Sequence, residues 1–116
     1  LNGKALEPLK ILPDPDRGFY DYEAKYKSEE TKKIDIDDQD LKEELKHIAV
    51  KAFSSHGCRV WGRVDFVSDG NNLGILEINT VPGFTEKSLF PLSAKKSGIN
   101  YQELITMIIE GSIKDR

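Results

Sequence analysis

Four polar residues, Arg63, Asp65, Glu77 and Asn79, sit at alternate positions of two short apolar runs and have the types and spacing to do chemistry. The runs are RVDFV over residues 63–67 and ILEIN over residues 75–79, separated by SDGNN. Strict alternation has the period of a half-buried strand, and the turn-rich spacer reads as a hairpin connection. A turn centred on Asn71 sets Asp65 opposite Glu77 and Arg63 opposite Asn79, with all four side chains on one face. Val64, Phe66, Leu76 and Ile78 then share the other face. Two carboxylates directly opposite one another repel, so the pairing calls for a compensating charge. A hard divalent cation supplies one: Mg2+ takes oxygen ligands and is commonly held by one or two carboxylates together with substrate phosphates. The planar fork of Arg63 suits a phosphate or a developing oxyanion. The alternative on pattern alone is the solvated polar face of an ordinary hairpin, and the pattern leaves both readings open.

These residues need elements to position them. TVPGFT over 80–85 must be a loop, because Pro82 and Gly83 interrupt regular structure and Gly83 lets the backbone approach a ligand closely. Residues 88–96 read as a short helix with Ser88 at its start and Pro91 in the first turn. Its unpaired amides at Ser88 and Leu89 can receive a carboxylate; the alternative is that Ser88 is only an N-cap. A longer helix is expected over 39–55, with Leu41, Leu45, Ile48, Ala49, Ala52 and Phe53 on one face. Asp37 or Asp38 caps it, and Gly57 ends it. Asn100 and Glu103 resemble a capping box for a last helix, whose buried face is Tyr101, Leu104, Ile105, Ile108 and Ile109.

Upstream, residues 6–12 read as a strand that Pro8 confines to an edge or a start. A turn cluster follows at 13–18. In FYDYEAKY, residues 19–26, four aromatics crowd around Lys25: a strand end packed on a core, or an aromatic wall beside a phosphate-binding lysine. Residues 27–33 are charged without an apolar face and read as an exposed loop. His47 and His56 lack a ligand pattern and take surface or capping roles. Trp61 shares the parity of Arg63.

Composition bounds the rest. The 116 residues and 38% hydrophobic content fit one small domain or one lobe of a larger enzyme. A net charge of −3 disfavours nucleic acid as a partner. No run reaches the length of a membrane span, and no signal peptide opens the chain. The single cysteine, Cys58, excludes an internal disulfide, points to a reducing cytoplasm and reads as a buried strand residue. A start at Leu1 in place of methionine reads as a fragment.

FYDYEAKY, WGRVDF, EINTVPGFTEKSLFP and SGINYQELI, in this order and spacing, resemble the C-terminal part of the D-alanine:D-alanine ligases, an ATP-grasp family. The resemblance runs from Phe19 onward over nearly the whole chain. It implies an α+β fold over residues 1–116, the C-terminal ATP-grasp lobe, with mainly antiparallel sheet packed against helices. N-terminal and central domains would be absent. It also implies that ATP phosphorylates one D-alanine and that the amine of a second attacks the acyl phosphate, for peptidoglycan precursor synthesis. By motif position, Asp65, Glu77 and Asn79 would hold two Mg2+ ions, with Mn2+ as a substitute. Arg63 and the Gly83 amide would stabilise the oxyanion, and Lys25 would contact the transferred phosphate. Ser88, the Leu89 amide and Tyr26 would serve the second substrate, with Phe19 and Val67 beside the nucleotide. Tyr26 favours D-alanine over D-lactate. The implied enzyme is a cytoplasmic homodimer with ATP and D-alanine as its partners, and the piece alone would be inactive. Alternatives are another ATP-grasp carboxylate–amine ligase or a non-catalytic binding module.

Overall fold

Asp38 starts the longest helix, its side chain accepting a hydrogen bond from the Leu41 amide at 3.1 Å. That helix, α1, spans Gln39–Ser55 and buries Leu45 and Ala52. His56 occupies its C-cap, and Gly57 follows in the left-handed region at φ 71°, which a side chain would disfavour. The His56 ring nitrogen Nδ1 also lies 2.8 Å from the Ala52 carbonyl, so its role is a cap.

The computed structural model describes residues 1–12 and 32–115. Strands β1 (Leu9–Leu12) and β2 (Lys32–Asp35) precede α1, followed by β3 (Arg63–Ser68), β4 (Leu73–Asn79), α2 (Leu89–Lys96) and α3 (Tyr101–Lys114). Each pair of strands forms a two-stranded antiparallel sheet, which together with the helices gives the expected α+β class. β1 begins immediately after Pro8, which lacks the N–H a ladder needs. Residues 32 and 33 correct the expected loop: they pair with Leu12 and Ile11 in β2, a backbone ladder that a charged sequence does not announce. Cys58 corrects a second expectation, because it is half-buried in the connection before β3 and not in a strand.

Phe90, Ala94 and Leu104 form the core, with Ala94 and Leu104 at zero exposure. Leu1, Leu6, Trp61, Phe84, Ile99 and Ile108 pack around them. The Asn100 carboxamide caps α3 by accepting from the Glu103 amide at 2.8 Å. Ile109, expected on the buried face of α3, is 54% exposed, because the stripe that meets α2 is centred on Leu104.

Two local features yield predictions. Val60 has φ 73°, a conformation that costs a β-branched residue about 1–3 kcal/mol. The chain holds it there through the Asn2 amide, which donates to the Val60 carbonyl. Val60→Gly is therefore expected to raise unfolding stability by ~1 kcal/mol after the lost side-chain packing is subtracted. A denaturant titration with an unchanged or lowered midpoint would contradict the strain.

Glu7 anchors the N-terminal segment. Its carboxylate lies 3.0 Å from Lys46 and 3.0 Å from Lys42 on α1, while its amide donates to Ser97 Oγ at 2.8 Å. Hydrogen bonds from Lys46 and then Lys42 hold its carboxyl below the usual carboxylate range. A depressed folded-state pKa contributes stability above the unfolded value and loses it as pH falls through the folded one. Glu7→Gln is expected to cost up to ~1 kcal/mol near pH 7, a surface-pair magnitude, and nothing once both states are protonated. Equal pH–stability curves for the two proteins would contradict this.

Candidate functional site

The site is built on the β3–β4 hairpin, whose register places Arg63 opposite Asn79, Val64 opposite Ile78 and Asp65 opposite Glu77. Beyond Asp65 a bulge shifts the register, so that Phe66 faces Ile75 and Val67 faces Gly74. The strands continue to Ser68 and from Leu73, leaving residues 69–72 as the connection. Asp69 organises that connection by accepting from the Asn72 and Asn71 amides at 2.7 and 2.9 Å. Those backbone hydrogen bonds, Asn72 first, hold its carboxyl below the usual range.

The bulge corrects one expectation. Leu76 is the extra residue of β4 and is 69% exposed, so it does not join Val64, Phe66 and Ile78 in a common apolar face. A bulge locally breaks the two-residue alternation, and nothing in ILEIN signals where it falls. The pairs Arg63–Asn79 and Asp65–Glu77 lie before it and keep the expected register.

Arg63 and Asp65, two apart on one strand face, form a two-pronged ion pair: Nε to Oδ1 at 2.6 Å and the terminal nitrogen to Oδ2 at 2.9 Å. Their side chains are 14% and 22% exposed, so water screens the pair only in part. Glu77 is solvent-facing and, like Arg63 and Asp65, has an interaction partner in the folded chain. Asn79 ends β4 with its carboxamide oxygen accepting from the Val81 amide at 3.0 Å, which turns the chain into the next loop. Val67 lies on the Asp65 face by strand alternation and is 57% exposed.

Pro82 is buried and Gly83 half-buried in the loop after Asn79. An aromatic cluster holds this loop. The Phe84 ring meets Trp61 edge-on at 5.4 Å, and Trp61 meets Phe90 at the same distance. Tyr101 on α3 stacks beside Phe84 and donates its hydroxyl to the Phe84 carbonyl at 2.6 Å. The parity that Trp61 shares with Arg63 does not decide whether it packs under the site or beside it, and the Tyr101 contact spans 17 residues and carries no local signal. Gly62 is required beside it, since a Cβ there would collide with the Phe53 ring and approach the Asn79 carbonyl to 3.2 Å.

Ser88 occupies the N-cap position of α2 without a side-chain capping bond. Its hydroxyl instead accepts from the Thr85 amide at 3.0 Å and lies 2.7 Å from Thr85 Oγ1. The side-chain cap is thus not formed: the Ser88 hydroxyl accepts from no α2 amide, and only its carbonyl does, from Leu92 at 3.0 Å. Phe19, Lys25 and Tyr26 lie outside the described residues.

Two carboxylates and a carboxamide oxygen on one hairpin face make an all-oxygen donor set, which fits a hard divalent cation that retains waters or phosphate oxygens. Among the described residues, no group of three or more His, Cys, Asp or Glu comes together. No helix among the described residues is long and apolar enough to cross a membrane.

A family model described as D-ala D-ala ligase C-terminus matches residues 2–110. The chain is 45% identical over 112 residues to a D-alanine–D-alanine ligase of Saccharophagus degradans, covering 94% of this chain and 35% of that protein. A ligase of the same name from Thermotoga petrophila is 46% identical over 112 residues, with 94% and 37% covered. A crystal structure of the Bacillus anthracis D-alanine–D-alanine ligase complexed with ATP superposes with a TM-score of 0.79 at 30% identity, covering 97% of this chain and 35% of that one. The chain thus spans about a third of the length of the relatives it matches.

Proposed function

The chain belongs to the family described as D-ala D-ala ligase C-terminus, and from that premise we propose that it forms the cation, phosphoryl and second-substrate side of an ATP-dependent ligase joining two D-alanines. The observation that carries this reading is the hairpin face on which Arg63, Asp65, Glu77 and Asn79 converge in paired register. Arg63 offsets the charge of Asp65 within the hairpin, and the further carboxylate of Glu77 opposite it suits the cation of a phosphoryl-transfer site.

In this reading a carboxylate oxygen of the first D-alanine attacks the γ-phosphorus of ATP and displaces ADP, giving an acyl phosphate. The amine of the second D-alanine then adds to the acyl carbon. The tetrahedral intermediate expels phosphate and the nitrogen loses a proton, leaving the amide. Asp65, Glu77 and Asn79 would hold two Mg2+ ions, with Mn2+ as a substitute, whose chemistry is to neutralise charge on the phosphoryl oxygens. The Arg63 guanidinium and the Gly83 amide serve the oxyanion of the intermediate, donors that must be fixed before the charge develops. The aromatic clamp of Trp61, Phe84 and Tyr101 is what fixes the Gly83 loop. Ser88 and the Leu89 amide take the carboxylate of the second D-alanine at the start of α2. Lys25 contacts the transferred phosphate, Tyr26 favours D-alanine over D-lactate, and Phe19 and Val67 flank the nucleotide.

The product would serve peptidoglycan precursor synthesis in the cytoplasm, and the full-length enzyme would act as a homodimer. The 116-residue chain alone is not expected to turn over, because about two-thirds of the length of its relatives lies outside the match. The test is ADP release by the full-length polypeptide with ATP, Mg2+ and D-alanine, with D-lactate in parallel. D-alanine-dependent release of one ADP per dipeptide is the expected result. Release that ignores D-alanine, or that requires another amine, would overturn the assignment.

A further inference from the structure

Tyr101 and Ser88 grip the two ends of one peptide group. The Tyr101 hydroxyl donates to the Phe84 carbonyl at 2.6 Å, and the amide across the same bond, that of Thr85, donates to Ser88 Oγ at 3.0 Å. We propose that Tyr101 is a positioning residue for the second substrate, holding through this peptide the Ser88 hydroxyl that receives the D-alanine carboxylate. The inference rests on the ligase reading of the site, in which Ser88 and the Leu89 amide take that carboxylate.

All the dipoles in this relay run the same way. The phenol O–H points to a carbonyl, the N–H of the same planar unit points to a serine oxygen, and the serine proton comes last. Hydrogen bonds in series polarise one another, so each strengthens the next and the last donor is suited to an anion. Ser88 Oγ also lies 2.7 Å from Thr85 Oγ1. Two hydroxyls hold two protons and their mutual contact uses one, so the pair keeps a single O–H for a carboxylate oxygen. With Thr85 as the donor within the pair, that O–H belongs to Ser88.

Each end of the relay is fixed by a different element. Tyr101 is the first residue of α3, and its ring packs beside that of Phe84 with centroids 5.3 Å apart. Ser88 is the N-cap residue of α2, and its amide donates to the Thr85 carbonyl at 3.0 Å, which closes the turn from the other side. The Ser88 hydroxyl makes no cap on α2, so its orientation is set by Thr85 and, through the peptide plane, by Tyr101. A planar peptide moves as one body, so a Phe84 carbonyl that loses the phenol carries the Thr85 amide with it when it tilts.

The test is the D-alanine dependence of ADP release by the full-length polypeptide, fitted with separate KM values for the first and the second D-alanine. Tyr101→Phe keeps the ring against Phe84 and removes only the hydroxyl. It is expected to raise the second KM roughly tenfold, the scale of one hydrogen bond whose acceptor is left unpaired. The first KM, the KM for ATP and kcat should stay within about twofold of wild type, because the interaction serves binding of one substrate only. In a Ser88→Ala background, Tyr101→Phe should leave the second KM unchanged, because Tyr101 acts through Ser88. An unchanged second KM in Tyr101→Phe would overturn the positioning role. So would a fall in kcat with both D-alanine constants shifted alike, the mark of a merely structural hydroxyl, or full additivity with Ser88→Ala. Wild-type protein without D-alanine-dependent release would overturn the ligase reading itself, and the positioning role with it.

Discussion

Glu77→Gln is expected to lower D-alanine-dependent ADP release by roughly 10³-fold, the loss that follows from removing ~4 kcal/mol of charge stabilisation in the transition state. The substitution keeps the shape and length of the side chain and one oxygen, and it removes the negative charge. Position 77 is exposed within β4, so the substitution removes no core packing. The fall should appear in kcat and be partly offset by raising the concentration of Mg2+ or Mn2+, because a weakened ligand set is restored by mass action. Asp65→Asn should behave alike in sign. It also removes the charge partner of Arg63 at 2.6 Å, so its effect on an anionic transition state is compounded and not a simple duplicate. A folded Glu77→Gln protein with wild-type turnover would sink the metal role of the opposed carboxylates while leaving the ligase reaction untouched.

Leu104→Ala carries the largest expected effect on stability, a loss of about 3–4 kcal/mol in a core where little relaxation is open. Leu104 is fully buried on α3 against Phe90 and Ala94 of α2, with Trp61 and Phe84 packed on the same cluster. Removing three carbons there leaves a cavity bounded by aromatic rings that hold one another at 5.4 Å and cannot collapse freely. For a small domain with about 5–15 kcal/mol in hand, that is a large fraction of the total. Leu104→Met should cost less than about 1.5 kcal/mol, because volume is kept. Ile109→Ala, at a position 54% exposed, should change stability by less than about 0.5 kcal/mol. Denaturant midpoints that rank Ile109→Ala with Leu104→Ala would contradict the placement of the core.

The same cluster links stability to the site. Phe84 meets Trp61 edge-on, packs beside Tyr101 and directly follows Gly83, so packing in the core sets the path of the loop that the proposed function uses for an oxyanion. A core variant can therefore lose turnover before it loses its fold.

Local chemistry determined what could be read along the chain. The alternation of RVDF and EIN, the caps at Asp38 and Asn100 and the stop at Gly57 are each written in a few consecutive residues, and each appears in the structure. Four motifs in order were enough to point to the family. Contacts between distant residues were decided only by the tertiary structure. The strand Lys32–Asp35 and the Tyr101 hydroxyl on the Phe84 carbonyl depend on partners far away in sequence, and the bulge that turns Leu76 outward leaves no mark in the residues of its own hairpin. The same holds for the Arg63–Asp65 pair. Their spacing places both on one face, but whether the fork turns to its neighbour or to solvent depends on how far the surrounding fold removes water from the pair.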